Sequence, residues 1–285
     1  MNEPESCRES ITASEASKEG VRPGNLGRHV LGLAAILFGI FTLWWRDFNT
    51  WQQIRPLGNV PHREVLACAV GAVELLGGLA IQWPKTARAG ALALGGIFLF
   101  FALMWILAGL ADPLSWDPWG SFFEQFSAVT GALIVYASFD RRDPLRAARI
   151  TRFAYFSFSV CVFSFFFGVL PATCKCDILK SSGIPGWLPP GKAFWAVTVI
   201  LAFPLASIAL LSGRFALLAA RLLTAMIVLI GLLYWLPAPF AKRYSDQHTN
   251  WAGNAENLVI GAAAWIVADL LSRKEATAAA TPRER

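Results

Sequence analysis

The chain has 285 residues, of which 55% are apolar and only 15% charged, with 12 Trp and 21 Phe. Ordinary soluble domains carry about 25% charged residues, so the composition argues against a water-soluble enzyme. The net charge of +6 sits in short segments between apolar runs, which favours membrane topology over a nucleic-acid partner.

Residues 1–28 begin MNEPESCRESITASEASKEG, polar and mixed in charge. They lack the apolar core of a signal peptide and are expected to form a disordered tail. Eight apolar runs follow, at about 29–46, 65–83, 90–112, 121–139, 153–170, 194–212, 215–236 and 251–271. A membrane span needs about 20 mostly apolar residues, and each run is close to that length. The expected fold is therefore all-α and polytopic, with eight transmembrane helices.

The basic residues set the orientation. Of the 25 Lys and Arg, 17 fall in the two tails and in the second, fourth and sixth inter-span segments. The positive-inside rule then places both termini in the cytoplasm. The opposite face is rich in tryptophan, including Trp44, Trp45, Trp51, Trp116, Trp119, Trp187, Trp235 and Trp251. These rings read either as an interfacial belt or as the lining of a mouth for a flat ligand such as a quinone.

The last four runs resemble the first four. ELLGGLAIQWPKTARAGALAL from Glu74 aligns without a gap with FPLASIALLSGRFALLAARLL from Phe203. The order of features also recurs: a Pro and basic lead, a span, a tight basic turn and a second span. Each unit has an even number of spans, so the two four-helix bundles are expected to be parallel repeats about an axis along the membrane normal. Residues 29–139 form the first, 140–152 a basic cytoplasmic linker, 153–271 the second and 272–285 a cytoplasmic tail.

Glu74 lies near the middle of the second span. A carboxylate at that depth costs several kcal/mol unless neutralised or paired, so Glu74 is expected to be neutral and able to donate a hydrogen bond. Thr130 in the fourth span and Thr42 in the first are its candidate partners by depth. The alternatives are a proton- or ligand-handling carboxyl and a structural interhelical bond. Gly71, Gly77 and Gly78 on the same helix favour close backbone packing. Pro204 in the sixth span is expected to kink it.

Cys174 and Cys176 form a Cys-x-Cys on the external face, where an oxidising compartment would make them redox-active or disulfide-bonded; free or structural thiols are the alternative. Cys68 and Cys161, within spans, read as small apolar residues. Arg46 and Asp47 are expected to pair, and His62 and His248 read as solvated loop residues. Glu124, Asn254, Glu256 and Asn257 sit at external helix ends, either lining a vestibule toward Glu74 or simply wet. No metal-ligand spacing, phosphate loop or nucleophile elbow is present in the sequence.

Glu74–Leu94, the lead IPGWLPPGKAFW and the segment WAGNAENLVIGAAAWIVAD resemble the DoxX-like membrane family, usually built from four spans. The resemblance covers both halves and implies a tandem duplication, although the second copy has Phe203-Pro204 where the first has Glu74-Leu75. It further implies a membrane subunit associated with quinone- or thiol-linked redox chemistry, with quinone as cofactor and soluble oxidoreductases as partners. Glu74, Cys174 and Cys176 would carry that chemistry. A proton-coupled small-molecule transporter and a non-catalytic membrane scaffold for soluble oxidoreductases are the alternative classes.

Overall fold

All eight apolar runs lie in helices of a computed structural model, which describes residues 25–49, 51–52, 54, 57–140, 142–174 and 190–280. The helices are α1 (Leu26–Trp45), α2 (Arg63–Ala80), α3 (Ala87–Ala111), α4 (Trp116–Ser138), α5 (Pro144–Cys174) and α6 (Lys192–Ser212). Then come α7 (Ala216–Ile230), a π-helical turn (Gly231–Trp235), the short α8 (Ala238–Ala241) and α9 (Gln247–Ala280). The described residues are all-helical, with no strand among them.

Four segments are individually long and apolar enough to cross a membrane: Leu26–Trp45, Ala87–Ala111, Ala216–Ala241 and Gln247–Ala280. Of the others, Val197–Ser212 in α6 is a shorter apolar stretch, and α2 holds Arg63, Glu64 and Glu74 within its 18 residues. Outward faces display Leu33, Leu76, Leu92, Phe156, Leu205 and Leu222, all exposed. So much exposed apolar surface is typical of a membrane-associated protein rather than a soluble monomer.

Helices neighbouring in sequence pack on one another from α1 through α7, α7 packs on α9, and α9 returns to α1. The result is a closed ring, crossed by a contact between α4 and α9. One continuous core runs through both halves, from Phe38 and Phe98 to Phe158, Leu210 and Val259.

Helix ends extend past the expected boundaries. The 140–152 segment is helical from Pro144, because Asp143 Oδ1 accepts the Arg146 N–H at 2.9 Å and proline suits a first helical position. At its other end α9 continues to Ala280 through good helix formers. α6 runs through Pro204 without interruption.

The linker also closes an ionic cluster. Asp140, its side chain wholly buried, pairs with Arg146 Nη2 at 2.7 Å and Arg88 Nη1 at 3.2 Å. Both arginines also donate to the Tyr136 hydroxyl, at 2.9 and 3.1 Å. The Arg146 hydrogen bond, aided by the charge of Arg88, holds the Asp140 carboxyl below its ordinary value of 3.8. A carboxyl depressed on folding stabilises above that value and loses its contribution as pH falls through the folded one. Asp140→Asn is therefore expected to lower the unfolding temperature at pH 7 and to flatten the acid side of the stability profile below pH 3.8, measured by thermal unfolding in detergent.

Candidate functional site

The site is built by the segment between α1 and α2, which enters the bundle instead of lying across its surface. Arg46 ends α1 in the left-handed conformation, at φ 52°, and turns the chain inward. Asp47 pairs with Arg63 at 2.7 Å, not with its neighbour Arg46 as the sequence suggested; a residue on the next helix presents the better geometry. Beyond it Asn49, Trp51 and Gln52 are buried. Irregular backbone at such depth is tolerated only where protein satisfies its polar groups, and here it does.

Trp51 is bonded at each of its polar groups. Its backbone N–H donates to Glu256 Oε1 at 3.1 Å, and its indole N–H to Glu124 Oε2 at 2.9 Å. Its carbonyl accepts from Trp105 Nε1 and Gln125 Nε2, each at 2.8 Å. The ring stacks on Phe38 at 5.9 Å between centroids. One residue thus ties α1, α3, α4 and α9 together. Glu124 and Glu256 lie eight and nine residues inside their helices, so at 1.5 Å per residue the segment reaches about 12 Å below the helix starts.

Glu74 is fully buried on α2, and Gln52 Nε2 donates to its Oε1. The Asn49 amide donates to Gln52 Oε1 at 3.3 Å and to the Thr42 hydroxyl at 2.8 Å. Asn49 Oδ1 meets His248 Nε2 at 2.7 Å; since that amide oxygen can only accept, His248 carries its proton on Nε2. Asp246 positions this histidine by capping α9, accepting from the backbone N–H groups of His248 and Thr249 at 3.0 and 3.1 Å. Burial acts to raise the Asp246 carboxyl, but the Thr249 hydrogen bonds and the His248 N–H outweigh it and hold it below its ordinary value. His248 also stacks on Trp45 at 4.9 Å.

A chain of donors therefore runs from His248 to Glu74, every member pointing its hydrogens toward the carboxyl. Carboxamides do not release their protons at ordinary pH, so the chain orients Glu74 rather than conducting protons to it. Glu74 Oε2 is buried with no hydrogen-bond partner, and Gln125 Oε1 shares that state. Leaving a buried polar atom unpaired costs about 1–3 kcal/mol, which marks a place for a proton or a ligand.

Thr42 is part of this chain, reaching Glu74 through Asn49 and Gln52. The Thr130 hydroxyl, although buried, donates to the Ser127 carbonyl of its own helix at 2.6 Å. Cys174 is the last residue of α5 and Cys176 lies outside the described residues, as does Trp187. Cys68 and Cys161 are free thiols. His248 is buried, not solvated, because the inward segment gives it a partner in Asn49. Among the described residues no cluster of three His, Cys, Asp or Glu could hold a metal.

The inserted segment has a second, apolar side. Phe48, Ile54, Leu57 and Val60 line a cavity of about 310 Å³ with Val70 and Val73 of α2. Leu66 and Phe100 at its rim are exposed on the outer face of the ring. The volume is at the lower end of small-molecule sites, and its lining includes Val70 and Val73, four and one residues before Glu74 on α2.

No protein-family model matches the chain, and neither a curated protein nor a solved structure matches it.

Proposed function

We propose that this chain is an integral membrane protein with eight transmembrane helices in two parallel four-helix repeats and both termini in the cytoplasm. The packing order supports the repeat. Exchanging α1, α2, α3 and α4 for α5, α6, α7 and α9 leaves the principal helix contacts of the ring unchanged, and the α4–α9 contact maps onto itself.

Within that architecture it acts as a membrane subunit for quinone- or thiol-linked redox chemistry. The observation that carries this reading is the buried, unpartnered Oε2 of Glu74, held in register by Gln52. The apolar cavity beside the same segment, lined by Val70 one turn from Glu74 on α2, suits a quinone ring or the start of its tail, entering from the lipid. Cys174 and Cys176 would supply the thiol branch at the external face.

The test is thiosulfate-driven reduction of decylubiquinone in proteoliposomes, above the protein-free rate. Glu74→Gln keeps an acceptor for Gln52 but removes the acid, and is expected to slow the reaction by about a hundredfold, as loss of a general acid does. Cys176→Ser is expected to abolish the thiol-dependent part. Rates unchanged in both variants would overturn the redox reading and turn attention to proton-coupled uptake.

A further inference from the structure

The opposite end of the bundle holds a feature with no connection to the Glu74 cluster. There, at the start of α1, the end of α4, the first turns of α5 and the late turns of α9, lies a cavity of about 100 Å³. Its polar lining is Asn25, Arg28, Ser138, Thr151, Asp269 and Arg273. This is the seam where the two halves meet, α1 against α9 and α4 against α5.

Arg28 is only 7% exposed. Its Nη2 donates to His29 Nε2 at 2.9 Å, so His29 carries its proton on Nδ1 and donates it to Gln82 Oε1 at 2.7 Å. The guanidinium lies over the Phe139 ring at 5.2 Å from its centroid. Its Nε and Nη1 are buried with no hydrogen-bond partner. An arginine cannot shed its charge, and a buried cation without a counter-charge is strongly destabilising. The carboxylate nearest in the lining, Asp269, already accepts the Gly27 N–H at 3.1 Å, and Arg273 donates to Asn25 Oδ1. Arg28 is thus left without a counter-charge at two of its donors, and the positive end of α1 reinforces its field.

We propose that this cavity is a phosphate-binding site that takes one monoanionic phosphate group, with Arg28 as its principal donor and Arg273 as the second cation. The source is a phospholipid headgroup or inorganic phosphate. The volume admits a phosphate-sized group and is well below that of sites for drug-sized ligands, so nucleotides do not fit. Basic pockets between helices at the cytoplasmic side of a membrane protein commonly hold anionic headgroups, and the lipid source rests on the membrane orientation proposed above. The phosphate chemistry does not.

The experiment is a thermal-shift titration of the delipidated full chain in a non-ionic detergent. Three probes are used: dihexanoyl phosphatidylglycerol, dihexanoylglycerol without the phosphate, and inorganic phosphate. A saturable rise with the phospholipid but not with the diacylglycerol is the expected result. A rise with phospholipid alone identifies a lipid headgroup, and an equal rise with inorganic phosphate identifies the free anion. Arg28→Gln is expected to weaken binding about tenfold, the loss of one charge-assisted bond. Arg273→Gln, at a half-buried side chain, serves if Arg28→Gln does not fold. No response of the wild type to either phosphate probe, or equal binding by a folded Arg28→Gln, would overturn the proposal. Should neither variant fold, the wild type decides: a saturable rise with a phosphate-bearing probe and none with the diacylglycerol supports the site, and equal rises with phospholipid and diacylglycerol count against it.

Discussion

Replacing Trp51 with alanine is expected to cost about 3–5 kcal/mol, the range for truncating a large buried aromatic. The indole is 4% exposed and its removal would leave Phe38 without its stacking partner. Glu124 would lose the donor now at 2.9 Å. Trp51→Phe separates the two effects: it keeps the ring on Phe38 but strands the Glu124 carboxylate, at a cost of about 1–3 kcal/mol. Chemical unfolding in detergent gives the ordering wild type, Phe, Ala. Labelling of a cysteine placed at Ile54, 4% exposed in the same segment, reports whether the segment leaves the bundle. If Trp51→Ala unfolds like the wild type, the segment does not hold the four helices together.

The consequence extends to Glu74, because Asn49 and Gln52 flank Trp51. Once Trp51 no longer fixes the segment, Gln52 loses its fixed position beside the carboxyl. The hub and the candidate site are one structure, so the stability of the bundle and the orientation of Glu74 should fail together.

The apolar runs were legible because length and composition alone define a helix in an apolar solvent. The isolated acid of α2 was legible because it interrupts one. The insertion of the 47–54 segment was not. Pro56, Gly58 and Pro61 mark it as a surface connection by every local rule. Its burial depends on Trp105, Glu124, Gln125 and Glu256, partners 54 to 205 positions away in sequence. A signal did exist: two acid–amide pairs, Glu124-Gln125 and Glu256-Asn257, lie more than two turns inside α4 and α9. Polar groups at that depth require buried partners. Reading them as either a vestibule lining or wet helix ends leaves out that requirement, and with it the role of His248.

Glycine spacing yields the second large effect. On α1, Gly32 and Gly39 face Gly78 and Gly71 of α2, two contacts seven residues apart on antiparallel helices. A Cβ at Gly39 would lie 2.5 Å from the Gly71 carbonyl oxygen and 2.7 Å from the Leu75 nitrogen. Both are backbone atoms, so no rotamer change relieves the clash; the helices must separate. Overpacking a core costs about 1–3 kcal/mol when side chains can yield, and here Gly39→Val should reach or exceed the upper value. The matched control is Gly96→Ala on α3, whose Cβ would meet nothing within 4 Å and which should stabilise by about 0.5–1 kcal/mol through helix propensity. Because Glu74 lies one turn from Gly71 and next to Leu75, separating α1 from α2 also draws the carboxyl away from Gln52, which Asn49 links to Thr42 of α1. Gly39→Val should therefore lose both stability and the quinone reduction proposed above, whereas Gly96→Ala should keep any such activity intact. A Gly39→Val protein as stable as the wild type would mean that α1 and α2 do not approach at these glycines.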